Sequence, residues 1–238
     1  MPHFEPSLPM TATSAPTPAS SPAPASQAVG ILLAGGRGAR FDPSGQTNKL
    51  LAPLLHGAEP GVPIAWLAAR QMRAALKRVI AVVRPDGAQA QELARLLEDA
   101  GCEVLMSAAA QRGMGASLAA GVRASLGLAP NFAAPLAATG VANRSSPGWV
   151  IALADMPGLS AATIARVSSA LSHDDAIAAA WYRGVRGHPV GFGGAHGAAL
   201  AQLDGDTGAR ALLQESQVIR IDTEDAGVLR DIDTPEAL

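Results

Sequence analysis

One cysteine, Cys102, occurs in 238 residues. That count excludes an internal disulfide and any multi-cysteine metal cluster, and Cys102 reads as a small apolar residue at the start of a strand. Long runs of one charge are missing as well. With a formal net charge of -2 and no broad basic stretch, the chain offers a nucleic-acid polymer no electrostatic footprint. A single nucleotide needs only a local pocket. Nowhere do about 18 consecutive apolar residues offer a membrane span. The N-terminal stretch lacks the basic start and continuous apolar segment of a secretory signal, so the expectation is a cytoplasmic protein with no membrane partner. Neither Gly-Lys-Ser nor Gly-Lys-Thr occurs, which removes the P-loop. No internal repeat is visible.

The 48% hydrophobic content is enough for a sizeable core in one domain. Residues 1–27 are rich in Pro, Ser, Ala and Thr and show no periodic apolar face, so they are expected to be a disordered tail ahead of a domain at 28–238. Within that domain, residues 129–148 carry Pro130, Pro135, Gly140, Asn143, Pro147 and Gly148. They read as an inserted surface loop.

Apolar runs then alternate with helical periodicity. Val29 to Ala34 has the composition of a strand buried on both faces. Ile64, Leu67, Ala68, Met72, Ala75 and Leu76 recur at helical spacing, and Val79 to Val83 follows as a strand. Asp86 is expected to cap a helix bearing Leu93, Leu96 and Leu97, with Gly101 at its left-handed end and a strand from Cys102 to Met106. A helix over Leu118, Val122 and Leu126 precedes a strand at Trp149 to Ala154, and Ser160 caps a helix bearing Ile164, Val167 and Leu171. Further strands are expected at Ile177 to Tyr182 and Gln217 to Ile221. The pattern predicts an α/β fold of three layers, a mainly parallel sheet with helices on both faces. Right-handed crossovers then place the site at the carboxyl ends of the strands.

Gly35, Gly36 and Gly38 follow the first strand directly. Their main-chain N–H groups can approach a phosphate without a Cβ in the way, while Arg37, Arg40 and Lys49 supply positive charge. The dinucleotide fingerprint is incomplete: Phe41 stands where its third glycine belongs, and Arg84-Pro85 ends the second strand instead of an acidic ribose ligand. What remains is a loop suited to a nucleoside triphosphate. Asp155 follows the strand Trp149 to Ala154, so its carboxylate emerges where that strand reaches the cleft. A carboxylate there is a suitable ligand for Mg²⁺; the alternative is a turn aspartate before Pro157. Asp231 and Asp233 flank Ile232, and alternation sends both carboxylates to one side of an extended segment. Asp231 is taken as the second metal ligand, with a surface turn before Thr234-Pro235 as the competing reading. His188 in Gly187-His188-Pro189 fits a substrate contact or a main-chain-satisfied structural histidine equally well. Arg210 is free to reach an anionic ligand or to pair at the surface.

Five motifs in order resemble the molybdenum cofactor cytidylyltransferases and the related guanylyltransferases. They are Leu33-Ala34-Gly35-Gly36-Arg37-Gly38-Ala39-Arg40-Phe41 with Lys49-Leu50-Leu51, Ala154-Asp155-Met156-Pro157, Arg186-Gly187-His188-Pro189-Val190, Gly205-Asp206-Thr207-Gly208-Ala209-Arg210, and Asp231-Ile232-Asp233-Thr234-Pro235. The resemblance covers nearly everything after residue 28. It implies a nucleotide-diphospho-sugar-transferase-like fold and a nucleotide site at Leu33, Ala34, Gly35, Gly36, Gly38, Arg40, Lys49, Gly115 and Ser117. Lys49 would face the phosphates, Arg40 and Lys49 would act in catalysis, and Asp155 and Asp231 would hold Mg²⁺. Gly113 to Ser117 would lie near the base, though a plain helix start explains that run as well.

The implied partners are CTP or GTP, a molybdopterin-type cofactor and a client molybdoenzyme. Leu-Ala-Gly-Gly resembles the guanylyl enzymes, whereas the three downstream motifs around His188, Arg210 and Asp231 look cytidylyl. One departure stands out: the glycine usual after Arg-Phe is Asp42, and the 43–48 stretch lengthens the loop before Lys49. Nucleotidyl transfer to a sugar phosphate or phospholactate, and a non-catalytic nucleotide-binding or cofactor-delivery module, are the alternatives.

Overall fold

The computed structural model describes residues 28–56, 59–86, 89–129, 148–215 and 217–238. The expectations for the 1–27 tail and for 130–147 of the inserted loop therefore fall outside the described residues.

Strand β1 is Val29–Ala34, a continuous apolar run because both of its faces are covered. Helix α1 (Ile64–Ala75) leads to β2 (Val79–Val83), α2 (Ala90–Asp99) to β3 (Glu103–Met106), and α3 (Met114–Ser125) precedes β4 (Trp149–Leu153). Helix α4 (Ala161–Ser169) is followed by β5 (Ile177–Tyr182), β6 (Val185–Phe192), the short helices α5 (Gly197–Ala201) and α6 (Arg210–Glu215), and β7 (Val218–Asp222). The seven strands form one sheet in the order β3-β2-β1-β4-β6-β5-β7. All neighbouring pairs are parallel except the two made by β6.

Side chains alternate along each strand, so the core splits into two layers. On one face Leu32, Ala81, Val83, Val150 and Ala152 pack with Met72 of α1, Leu93 and Leu97 of α2, and Ile164 and Val167 of α4. On the other, Ile31, Ile80, Val82, Trp149 and Ile151 pack with Leu118 and Val122 of α3 and Leu200 of α5. Helices thus cover both faces of a mostly parallel sheet, the expected three-layer α/β architecture. Trp149 is fully buried; its indole N–H donates to Ser125 Oγ at 2.8 Å, which removes the cost of an unpaired polar atom in that layer.

Two expectations need correction. Asp86 does not cap α2: the helix begins four residues later at Ala90, after Gln89, a non-glycine residue at φ 54°. The segment around His188, where no strand was expected, forms the strand β6. Gly187, Pro189 and Gly191 interrupt its apolar pattern, and proline in a central strand ordinarily argues against one. The sheet accommodates them through a register shift. Ala179 faces Val190 while Trp181 faces Arg186, so β6 carries extra residues opposite β5 at the proline. Arg183 and Gly184, at φ 49° and 81°, form the two-residue turn between these strands. Ser160 caps α4 as expected, accepting from Thr163 N–H at 3.3 Å, and Gly101 takes the left-handed position after α2 at φ 87°.

Candidate active site

The sheet reverses its winding between β1 and β4: β2 and β3 lie to one side of β1, and the later strands to the other. Such a switch point opens a crevice at the strand carboxyl ends. Here Leu33 pairs with Leu153, and Ala154 N–H donates to Leu33 O at 3.0 Å. The glycine loop after β1 and Asp155 after β4 are consequently neighbours.

A cleft of about 330 Å³ occupies this crevice. It is lined by Gly35, Gly36, Arg37 and Lys49 from the glycine loop and the turn after it, by Ala110, Gln111, Gly113, Met114 and Ser117 around the start of α3, and by Leu33, Leu153, Asp155 and Asp206 among others. At Gly113 the backbone has φ 126°, and a Cβ would fall 2.1 Å from Asp206 Oδ1, so only glycine fits. A Cβ on Gly35 would approach Ala110 Cβ to 2.9 Å and Ser117 Oγ to 3.4 Å. Both glycines therefore let neighbouring segments of the cleft wall pack closer than a side chain would allow.

The lengthened loop before Lys49 is folded by the residue that departs from the motif. Asp42 Oδ1 accepts from Ser44 N–H at 2.8 Å and Ser44 Oγ at 2.6 Å, and Oδ2 accepts from Thr47 N–H at 2.7 Å. These bonds hold the exposed carboxyl down at about 2, with the Ser44 hydroxyl contributing most. Asn48 then caps a single 3-10 turn, Lys49–Leu51, by accepting from Leu50 N–H at 3.1 Å. Lys49 is delivered into the cleft and is 8% exposed.

Its ammonium donates to Asp155 Oδ2 at 2.7 Å, to Ile232 O at 3.0 Å and to Asp233 Oδ1 at 3.2 Å. Arg40, three-quarters exposed, reaches the other Asp233 oxygen at 2.7 Å. Asp155, Asp231 and Asp233 each offer one oxygen within 4.8 Å of the others. Asp155 Oδ1 is buried without a hydrogen-bond partner among the described residues, which leaves one carboxylate oxygen of the cluster unsatisfied. Three carboxylates this close fit a hard divalent cation, which takes oxygen ligands and offsets their mutual repulsion.

The C-terminal segment is pinned at both ends of its approach. Ile232 N–H donates to Asp155 O at 2.9 Å. Upstream, Asp225 accepts from Ser160 N–H, Ser160 Oγ and Thr163 Oγ1 at 2.7–2.9 Å, and from Gly227 N–H at 2.9 Å. Burial alone raises the Asp225 carboxyl, but these four donors hold it below the usual aspartate value.

Most of the sequence-predicted residues converge here: Leu33, Gly35, Gly36, Lys49, Ser117 and Asp155 line the cleft, and Asp231 joins Asp155 in the acidic cluster. Ala34 and Gly38 line a smaller adjoining hollow under the loop. Gly115 is close but engaged otherwise, its N–H donating to Gly205 O at 2.8 Å. Arg210 is exposed on α6 and is not among the lining residues. His188 is half-buried, with Nδ1 3.4 Å from Ile151 O. Burial pushes its imidazole down, opposed by that carbonyl and by the charges of Asp155 and Asp231. Sequence reasoning missed Gln111 and Asp206 as cleft residues. It also ranked Asp233 behind Asp231, although the two-residue spacing already put both on one side.

Among solved structures, Rv0371c from Mycobacterium tuberculosis H37Rv is 24% identical, with a TM-score of 0.62 over 90% of this chain and 96% of its own. The nucleotidyl transferase Mth528 from Methanothermobacter is 20% identical, with a TM-score of 0.66 over 89% and 94%. The 4-diphosphocytidyl-2C-methyl-D-erythritol synthase from Anaerococcus prevotii is 12% identical, with a TM-score of 0.59 over 89% and 92%. These likenesses carry the fold. No curated protein matches the chain. The model of the MobA-like NTP transferase domain matches residues 30–220, a span that runs from β1 and the glycine loop through Asp155 into the last strand, and the chain belongs to that nucleotidyltransferase family.

Proposed function

We propose that the chain transfers a nucleoside monophosphate from CTP, or alternatively GTP, to the terminal phosphate of a molybdopterin-type cofactor, releasing pyrophosphate. The observation that carries this reading is the meeting of Asp155, Asp231 and Asp233 with the glycine loop and Lys49 at the β1/β4 switch point. The molybdopterin acceptor is supported by the five ordered motifs.

A phosphate nucleophile is already ionised at neutral pH, so no general base is required, and His188 is left outside the chemistry. Its oxygen forms a bond to the α-phosphorus while the bond from that phosphorus to the bridging β-oxygen breaks. The chain has to align these atoms and offset charge. Main-chain N–H groups of the glycine loop receive the triphosphate, and Arg37, Arg40 and Lys49 supply cations along it. Asp155 and Asp231, with Asp233 beside them, would hold Mg²⁺. Once bound, the ion neutralises charge on the triphosphate. A second Rv0371c structure, 22% identical with a TM-score of 0.61, is a complex with manganese, which favours testing Mn²⁺ beside Mg²⁺. CTP is the favoured nucleotide, following the three downstream motifs.

Mass spectrometry of products formed from equal CTP and GTP with molybdopterin tests the reading. The expected product is the cofactor bearing one CMP, with stoichiometric pyrophosphate. A GMP adduct reverses the base. Transfer to a sugar phosphate or phospholactate, and not to molybdopterin, overturns the acceptor.

A further inference from the structure

Lys49 is held where a metal's ligands are. Its ammonium touches Asp155 and Asp233 together with the Ile232 carbonyl, and Asp155 Oδ1 is left without a partner among the described residues. Its stem runs along the glycine loop: a Cβ on Gly38 would sit 3.6 Å from Lys49 Cγ. A divalent cation bound by the same oxygens would face the ammonium across a few ångströms, and that repulsion outweighs any one charge-assisted hydrogen bond. The two cations compete for one set of carboxylates.

We propose that Lys49 is a placeholder in the carboxylate triad, neutralising Asp155 and Asp233 in the metal-free protein and yielding them to a divalent cation. Rotation of its flexible stem then carries Nζ along the glycine loop toward the triphosphate. The side chain thereby couples the two ligands: the cation alone binds weakly against Lys49, a triphosphate offers Lys49 a new anionic partner, and each ligand strengthens the other reciprocally. This rests on reading the triad as the metal site.

The chain supplies its own internal standard, because its two lysines are Lys49 and the exposed Lys77. Acylation of the full wild-type chain by an amine-reactive acetylating reagent, read by peptide mass spectrometry, gives the Lys49 to Lys77 labelling ratio. Saturating Mn²⁺ without nucleotide is expected to raise that ratio about threefold or more. An unchanged or lower ratio, with Mn²⁺ shown to be bound by electron paramagnetic resonance, overturns the placeholder and leaves the metal site standing.

Independently, Lys49→Met should tighten Mn²⁺ binding to the nucleotide-free protein by roughly tenfold, within the usual range of coupled sites. The gain should vanish when Asp155→Asn is added. Unchanged or weaker binding in Lys49→Met contradicts the inference, as does a gain that survives in the double variant. If neither wild type nor Lys49→Met binds Mn²⁺ in an Asp155-dependent way, the metal reading fails and the placeholder fails with it. Should Lys49→Met not fold, the labelling ratio decides.

Discussion

Lys49 and Asp42 show how single residues set this site. Lys49→Ala should lower turnover by about 10²–10³ with a smaller change in nucleotide affinity, since a preorganised charge acts mainly on the transition state; wild-type turnover in steady-state kinetics would place Lys49 outside the chemistry. Asp42 acts one step back, by folding the loop that delivers Lys49. Because its carboxyl is held down at about 2, it stays ionised, and the loop keeps these hydrogen bonds, into the acid range where an ordinary aspartate is protonated. Asp42→Ala should raise the nucleotide KM several-fold and leave kcat less affected. An unaltered KM would mean that the loop holds its shape without the carboxylate. Gly35→Ala should narrow the cleft against Ala110 and move selectivity toward CTP, the smaller base. An unchanged CTP to GTP ratio in competition assays removes Gly35 from base recognition. Most of these residues were legible in the sequence because glycines, cations and strand-end carboxylates carry recognisable chemistry. Gln111 and Asp206 were not, since they come to the cleft from two segments far apart in the chain that pack together at Gly113.

At the level of elements, strands buried on both faces announced themselves as continuous apolar runs, and β1, β2 and β4 were readable to within a residue. The antiparallel β6 escaped because its irregular register opposite β5 tolerates glycines and a proline that a regular strand would reject. The segment carrying Asp231 and Asp233 was legible as a motif, while its anchoring was not: Asp225 works through Ser160 and Thr163, some 60 residues away in the chain. Asp225 has a depressed folded pKa, so its ionised form stabilises the fold above the unfolded value, and that contribution is lost as pH falls through the lower, folded value. Thermal melts should show part of the acid destabilisation below about pH 4 disappearing in Asp225→Ala. At neutral pH the same variant should melt lower by roughly 5 °C or more, as expected for losing hydrogen bonds to a charged group. An unchanged neutral melting temperature would show that the C-terminal segment is anchored elsewhere.

Over the whole molecule, the three-layer order could be read from the alternation of elements, and the position of the site followed from topology. Reversal of winding between β1 and β4 brings the glycine loop and Asp155 together, and the C-terminal segment returns to complete the carboxylate cluster. None of the 155–231 or 49–233 pairings is local, which is why the motifs supplied the parts in order without showing their contacts. If this cluster supports metal-dependent nucleotidyl transfer, turnover must depend on its charge. The deciding measurement is pyrophosphate release with CTP or GTP, molybdopterin and saturating Mg²⁺, compared between wild type and Asp155→Asn. The substitution keeps the side chain's shape and removes its charge, so the rate should fall by about 10² or more while the melting temperature stays near that of wild type. A folded Asp155→Asn protein that releases pyrophosphate at the wild-type rate would show that the carboxylate cluster does not serve the transfer.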